Sequence, residues 1–430
     1  MHSSEGDDRF GKDPRWVRPD PQGFWRWWLA GAGEEGRALR RWLVWVWWTK
    51  PRSFRSRVGI VVDSLLSPVF IVRDAWLQVR QCGEKVTRLH GISPIRQFLE
   101  AVGLRFGSGL PPIAYYKYQL FAPERRADAH AYLVDTARLQ QVLMQRLPWT
   151  SDKAILSSKR AFEDWCVAHG LSTVRSLLEI DGDVVVRRAD TPLPAADLFV
   201  KPTNWRQGKG AEKLVHETVE GESVWVTRKG ERIPADALEG YLKARSREIE
   251  RPLLVQRCLV NHPLIHALGN GSLCTFRVTT VRDYPAPAEL LSSILRIGLG
   301  NALADNFDLG GIATMVDPRT GRCGKAIAKR GDYPVDHLAV NPDTGVPIEG
   351  VELPYWRETI ELAIRAHSQL EYATPAVGWD VAVLEDGPVL VEGNSLPCHN
   401  IVQMPEPMAL GNTNFGRYLT RALRRAFGSA

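Results

Sequence analysis

The tightest constraint on this chain lies near its C-terminus. There, two runs rich in Val, Leu and Trp, residues 377–384 and 388–393, flank Glu385, Asp386 and Gly387. Apolar runs bounded by turn residues read as a β-hairpin, and Gly387 suits the left-handed position of a three-residue loop. That loop pairs Leu384 with Pro388 and sets Asp380 opposite Glu392. Opposed side chains share a face about 5 Å apart, and strand alternation adds Asn394 to it. Three hard oxygen donors then converge, while Val381, Val383, Leu390 and Val391 help bury the strands. A four-residue loop would slip the register by one and undo the opposition. The same pattern also describes a solvated polar hairpin face, since antiparallel sheets commonly expose one side.

With 430 residues, 44% hydrophobic and 24% charged, the chain is globular and long enough for two or three domains. Its six cysteines are scattered, with no CxxC, which argues against a zinc knuckle or a disulfide framework and fits a reducing compartment. Residues 1–23 are polar and hold no apolar core of a signal peptide, so a cytoplasmic location is expected.

Charge and tryptophan are both concentrated early. Residues 21–60 carry eight basic side chains against two acidic ones, which accounts for the whole formal net charge of +6. Nine of the fifteen tryptophans precede residue 77. Indoles interleaved with arginines suit the headgroup depth of an anionic bilayer, so residues 21–60 are expected to contact such a surface from its inner face. The apolar run 58–72 contains Asp63 and Pro68 and falls short of the ~20 residues that span a bilayer. The alternative is that these indoles pack on the protein itself or on a partner. Gly31-Ala-Gly33-Glu-Glu-Gly36 matches GxGxxG, but no parallel strand precedes it and two glutamates would repel a pyrophosphate. Nucleic acid is not an expected partner.

From about residue 90 the pattern is that of an α+β enzyme. Residues 123–146, 152–169, 235–248 and 354–370 read as helices, with Gly170 as a C-cap. Strand-like runs cover 197–201, 223–228, 252–258, 273–282, 289–298 and 311–317. Strands interrupted by isolated helices indicate two lobes built on mainly antiparallel sheets. The expected divisions are an extension over 1–90, a helical region over 91–150, and lobes over 151–260 and 261–430.

Several cationic and glycine features in these lobes call for an anionic ligand. Lys153 opens a helix and Lys201 ends a strand. Arg206-Gln207-Gly208-Lys209-Gly210 follows, a stretch whose backbone can approach an anion closely or simply turn between strands. It is not a Walker A loop, since Gly210 stands where Ser or Thr is required. Arg277 and Arg296 fall inside strand runs, where a guanidinium needs either an internal carboxylate or a polyanion. His262 and His266 have zinc-like spacing but lack the HExxH glutamate. Cys398 and His399 are neighbours, whose side chains would point apart on a strand.

In this order, Asp152-Lys153, Val200-Lys201-Pro202, the glycine loop, Leu253-Leu-Val-Gln256-Arg257, the arginine-bearing strands, Asp380 and Glu392-x-Asn394 resemble the ATP-grasp superfamily, as in D-alanine:D-alanine ligases. Asn261-His262-Pro263, Leu273-Cys-Thr-Phe-Arg277, Asp305-Asn306 before Gly310-Gly311, and Gln403 after Glu392-Gly-Asn394 are similar to its sugar-transfer-associated branch. The likeness covers roughly residues 110–425 and rests on the ordered set of motifs.

The resemblance implies an ATP-grasp fold whose two α+β lobes clasp ATP. Lys153 and Lys201 would neutralise its phosphates, and Gln207, Gly208, Lys209 and Gly210 would close over them. Val255 and Gln256 would hold the adenine, although many relatives have Glu where this chain has Gln256. Asp380, Glu392 and Asn394 would bind Mg²⁺, or Mn²⁺ in its place. Arg277 and Arg296 would act on the transferring phosphoryl group, with Asn306 as a further nucleotide contact. The implied activity is a ligase joining a small-molecule carboxylate to an amine or thiol, with polysaccharide or cell-envelope synthesis as the setting. A kinase on the same fold and a non-catalytic nucleotide-binding membrane scaffold are the alternatives.

Overall fold

The computed structural model describes residues 38, 39 and 42 and residues 54–428, apart from 135, 148–153, 189–192, 204–209, 270, 300–306, 308–309, 329–332, 334–335, 396, 398–399 and 407. Side chains are described at 38, 39 and 42 and from Pro68 onward, those of 136–139 and 400 excepted, and Trp42 is buried with its ring 5.8 Å from that of Phe427. Lys153, Gln207, Gly208, Lys209, Asn306, Cys398, His399 and most of residues 21–60 therefore lie outside the described residues.

In chain order the helices are α1 (Phe54–His90), α2 (Pro94–Ser108), α3 (Thr136–Arg146), α4 (Lys159–Ala168), α5 (Leu238–Ile249), α6 (Pro263–Leu268), α7 (Trp356–Gln369) and α8 (Asn414–Phe427). Short helical turns lie at Ile113–Lys117, Pro123–Ala127 and Asn400–Gln403. The first seven strands are β1 (Ser176–Asp181), β2 (Val184–Arg187), β3 (Leu198–Pro202), β4 (Glu212–Val219), β5 (Glu222–Val226), β6 (Arg232–Pro234) and β7 (Leu253–Arg257). Seven more follow: β8 (Thr275–Val281), β9 (Glu289–Ile297), β10 (Ile312–Val316), β11 (Cys323–Ala328), β12 (His337–Leu338), β13 (Ala376–Leu384) and β14 (Gly387–Asn394).

Two compact units result, one within Met1–Arg146, Ile327–His337 and Cys398–Ala430, the other within Leu147–Ala326 and Leu338–Pro397. In the first, α1 packs on α2 around Gln97. The Gln97 amide donates to the carbonyls of Gly83 and Ile92 and accepts from the Tyr116 hydroxyl. Here the sequence reading of one helix over 123–146 is corrected. The segment is a helix over 123–127, a 3-10 turn over 129–131 and then extended backbone before α3. The cause is tertiary: the Gln403 side chain accepts from the Leu133 N–H at 3.0 Å and donates to its carbonyl at 2.9 Å, replacing helical hydrogen bonds.

The second unit holds, but for residues 327, 328 and 337, two seven-stranded sheets, ordered β2-β1-β7-β3-β4-β5-β6 and β12-β11-β10-β9-β8-β13-β14. The fold is α+β, and the strand pairs detailed for both sheets are antiparallel. Alternation divides the first sheet cleanly. Leu178, Ile180, Leu198, Val200, Leu253 and Val255 pack with Leu238 and Leu242 of α5, leaving Leu254, Gln256, Phe199 and Lys201 for the other face. Helix α4 begins at Ser158, whose hydroxyl accepts from the Ala161 N–H, not at residue 152 as read from sequence. It ends as expected at Gly170, whose φ of +62° is the left-handed conformation that glycine adopts without a Cβ clash.

Helix α7 covers one face of the second sheet. Arg282, buried, donates to the carbonyls of His367 and Leu370 at the end of α7, where a cation complements the helix dipole. His367 is itself buried between Thr280 Oγ1, 2.8 Å from Nδ1, and the Thr374 carbonyl, 3.1 Å from Nε2. A carbonyl only accepts, so Nε2 carries the proton and Nδ1 accepts from Thr280. Burial first, then the Arg282 charge, push the ring's pKa down to about 3, against a hydrogen bond to Thr374 that raises it. An unfolded chain protonates this ring below about pH 6.5, and the folded one does not until near 3. Stability from this group is therefore present above 6.5 and lost as pH falls towards 3. Urea unfolding between pH 4 and pH 7 should show that loss, and His367→Gln, which keeps a donor and an acceptor without titrating, should flatten it.

Candidate functional site

The hairpin forms as β13 and β14, with Asp380 opposite Glu392 and Gly378 opposite Asn394. The route differs from the expected three-residue loop. Leu384 faces Gly387, leaving a two-residue turn of Glu385 and Asp386, which alone would set Asp380 opposite Val391. A β-bulge between Asp380 and Val381 skips Val391 and restores Glu392 to the pair. The outer edge of β14 accounts for its position, because the Leu390 N–H donates to Ser172 and its carbonyl accepts from the Thr173 hydroxyl and the Val174 N–H. The hairpin is not a solvated face: β13 is buried from Ala376 to Val383, and Asp380 is only 5% exposed.

Asp380 is held by both predicted arginines. Arg277, its cross-strand partner on β8, donates through Nε to Oδ1 at 2.6 Å and through Nη2 to Oδ2 at 3.2 Å. Arg296 of β9 reaches Oδ2 at 3.0 Å and also donates to the hydroxyl of Thr275, its own opposite number. Gly378 makes the geometry work, since a Cβ there would stand 3.0 Å from Arg277 Cδ and 3.0 Å from Pro397 Cβ. Burial raises the Asp380 pKa, but the two guanidiniums outweigh it and hold the carboxyl below the usual carboxylate range. Asp380 is thus an anion at any physiological pH.

The far face of the first sheet carries Lys201, which is buried and makes no hydrogen bond or ion pair among the described residues. Burial first, then Lys159, depress its pKa to about 8, against opposing pulls from Glu392 and Glu163. A buried ammonium without a contact partner is costly unless an anion joins it. Gly210, the described member of the glycine loop, has a φ of +68°.

Gln256 is fixed by a chain that sequence reasoning missed. Ser176 donates its hydroxyl to Glu163 at 2.6 Å and its N–H to the same carboxylate at 2.9 Å. Having spent its proton, the Ser176 hydroxyl accepts from the Gln256 amide nitrogen at 3.1 Å. Gln256 therefore keeps its amide oxygen as an acceptor, the role a glutamate would fill at this position. The side chain of Val255, the other residue expected at the nucleobase, lies in the core under α5, and its strand is paired on both sides. Leu259 and Val260, just past β7, have backbone N–H groups without partners among the described residues. They line a cavity of about 350 Å³ with Asp197, Lys213, Cys258 and Leu273. Burial pushes the Cys258 thiol up to about 11, so no thiolate is present there at neutral pH. Asn261 ties the chain past β7 to the start of β8 and to β13, donating to the carbonyls of Cys274 and Val383 and accepting from the Cys274 N–H. His262 caps α6, its Nδ1 accepting from the Leu264 N–H.

The donor set fits a hard divalent cation. Asn394 Nδ2 donates to Glu392 Oε1 at 3.1 Å, leaving Asn394 Oδ1 and Glu392 Oε2 without partners among the described residues. Asp380 would join such a site only through the lone pairs that its arginines leave. Among the described residues no group of three or more His, Cys, Asp or Glu gathers around one point, so a cation here would draw its other ligands from water and phosphate, as magnesium does.

A family model described as sugar-transfer associated ATP-grasp matches residues 139–416. Among solved structures, D-alanyl-alanine synthetase A of Vibrio cholerae is 11% identical, covering 64% of this chain and 66% of its own, with a TM-score of 0.36. D-alanine–D-alanine ligase of Bacillus anthracis is 13% identical over 64% of this chain and 70% of its own, at a TM-score of 0.34. N5-carboxyaminoimidazole synthase of Aspergillus clavatus, solved with ADP and 5-aminoimidazole ribonucleotide, is 13% identical over 61% and 51%, at 0.32. The chain thus spans two thirds or less of the length of the first and third of these. No curated protein matches the sequence.

The state of Lys201 is open to test in the ligand-free protein. Between pH 8 and about 10.5 the unfolded chain holds this proton and the folded one does not, so stability from the group rises with pH across that window. Lys201→Met should melt higher than wild type at pH 7, by up to about 3 kcal/mol, and should lose that rise. A lower melting temperature for the variant would show that the ammonium is satisfied in the folded state.

Proposed function

This chain belongs to the sugar-transfer-associated ATP-grasp family, and we propose that it is an ATP- and Mg²⁺-dependent ligase that activates a carboxylate for attack by an amine or thiol. The observation that carries the reading is the buried ammonium of Lys201, without a hydrogen-bond or ion-pair partner among the described residues, in the same unit as the oxygen face of Glu392 and Asn394 and the arginine-bound Asp380. Cationic and anionic groups are there held in surroundings of low dielectric, where fixed charges act strongly on a transferring phosphoryl group.

In this reading Lys201 neutralises phosphate oxygens, joined by Lys153 and the loop Gln207, Gly208, Lys209 and Gly210. The Gln256 amide oxygen accepts from the exocyclic amine of adenine, and the N–H groups of Leu259 and Val260 face the ring edge. Glu392 and Asn394, with Asp380, hold Mg²⁺ or Mn²⁺, whose chemistry is to neutralise and align phosphate oxygens. Arg277 and Arg296 keep Asp380 ionised and present cationic edges to the phosphoryl group, with Asn306 as a further contact.

The substrate carboxylate oxygen attacks the γ-phosphorus and ADP leaves, giving an acylphosphate. The amine or thiol then attacks the carbonyl carbon, inorganic phosphate leaves and the nucleophile loses its proton. No Ser/His/Asp set is needed, because positioning and electrostatics carry phosphoryl transfer. The sugar-transfer label of the family supports a substrate in polysaccharide or cell-envelope synthesis. Composition supports contact between residues 21–60 and an anionic membrane on its inner face, Leu39 and Trp42 excepted, which are buried in the protein.

ADP release screened over paired carboxylates and amines should require both partners and should fall roughly 10²-fold in Glu392→Gln. A phosphorylated product that accumulates without amine would make the protein a kinase, and unchanged turnover in Glu392→Gln would remove the metal assignment. Removing residues 1–57 should weaken co-sedimentation with anionic vesicles, and a shortened chain that binds as tightly as the full chain would end the reading of that segment.

A further inference from the structure

The polar chain behind Gln256 has a direction, and one backbone N–H sets it. Glu163 of α4, Ser176 of β1 and Gln256 of β7 are 3%, 1% and 5% exposed, and Ser176 stands directly opposite Gln256 across the paired strands. The Ser176 N–H can only donate, and it meets Glu163 Oε1 at 2.9 Å. Arg175 Nε and Arg188 Nη2 stand 3.6 Å from the same oxygen. One N–H and two cations thus mark that end of the side chain as an acceptor. The other end, Oε2, meets only the Ser176 hydroxyl among the described residues, at 2.6 Å. An ionised carboxylate has no proton to give, so the hydroxyl donates to it and accepts from Gln256 Nε2 at 3.1 Å. Gln256 Oε1 is left without a partner among the described residues. It shares the face of the first sheet that carries Lys201.

We infer that Glu163 and Ser176 are positioning residues that set the nucleobase preference of this chain, holding Gln256 so that it takes a 6-amino purine and rejects a 6-oxo one. The inference rests on the ATP reading of this face and adds the groups that decide which base is taken. Adenine donates at its 6-position, whereas hypoxanthine and guanine accept there. A 6-oxo purine therefore sets two oxygens against each other, and a buried acceptor left unpaired is what a polar site discriminates by. An amide alone cannot make the distinction. Free to turn, Gln256 would offer its nitrogen to one purine as readily as its oxygen to the other. The chain from α4 removes that freedom.

The direction of the chain can be reversed without changing its shape. In Glu163→Gln the three neighbours of Oε1 keep oxygen at that end, which puts the new amide nitrogen against the Ser176 hydroxyl. The hydroxyl then accepts from position 163 and donates to Gln256, whose amide turns over and presents nitrogen to the base. The test is the preference for ATP over ITP, taken as the ratio of dissociation constants for the full chain with Mg²⁺ and no acceptor substrate. Wild type should prefer ATP, and the preference should fall about tenfold or more in Glu163→Gln. The double variant Glu163→Gln, Gln256→Glu should recover it, because a carboxylate at position 256 accepts from Ser176 and still faces the base with oxygen. A structural role for Glu163 alone predicts no such recovery. Ser176→Ala releases the amide and should lower the ratio in the same direction, which keeps the test available should Glu163→Gln fold poorly. An unchanged ratio in the single variants, equal weakening of both nucleotides, or no recovery in the double variant overturns the inference. A wild type that binds ATP and ITP alike also overturns it and leaves the ATP-dependent reading standing. If wild type binds neither nucleotide, both fall.

Discussion

The site depends on one buried carboxylate shared between two guanidiniums. Asp380 sits on β13, a strand next to the sheet edge whose residues are buried on both faces, where an unpaired charge would cost several kcal/mol, and Arg277 and Arg296 each donate to it. Removing one member of such a pair costs about 3–5 kcal/mol, because the partner charge is left uncompensated in low dielectric. The interaction fixes more than itself. It requires β8, β9 and β13 in one register, an absent side chain at Gly378 so that Arg277 can lie flat, and Asn261 to tie the incoming chain to β8 and β13.

Against that compensated cluster stands an uncompensated one. Lys201 is buried, its proton held weakly, and its nearest electrostatic influences include another lysine as well as two glutamates. One sheet of the unit compensates its buried carboxylate, and the other presents an ammonium without a contact partner among the described residues. The chain from Glu163 through Ser176 to Gln256 adds a directional element, since a carboxylate at one end decides which end of an amide faces outward at the other. Stability is thereby spent on holding polar groups in fixed directions, the condition for electrostatic preorganisation.

Much of this was readable in the residues. The strands at 197–201, 252–258, 273–282, 289–298 and 311–317 and the helices at 235–248 and 354–370 form close to where their periodicity places them. Strands β1 and β4 were missed because their sequences, Ser-Leu-Leu-Glu-Ile-Asp and Glu-Lys-Leu-Val-His-Glu-Thr-Val, mix charge into the alternation. Some of their acidic residues pair with other elements, as when Arg160 of α4 reaches Glu179 and Arg232 of β6 reaches Glu217. The helix read over 123–146 failed for a similar reason, because the group that breaks it belongs to Gln403, some 270 residues away. The Ser176 signal was legible only as a polar residue at a strand start, with nothing to connect it to Glu163.

The hairpin itself separates the two sources of information. Residue types and spacing alone determined that two carboxylates and an amide would share a face of paired strands, because alternation and apolar pressure are local and periodic. They also determined the α+β class and the order of lysine, glycine loop, arginines and acids. Tertiary structure alone decided that the turn closes on two residues, that a bulge at Val391 repairs the register, and that Asp380 faces two arginines from neighbouring strands. Those outcomes turn on the edge contacts of Leu390 with residues 172–174 and on charges brought together from strands about a hundred residues apart, which no local pattern encodes.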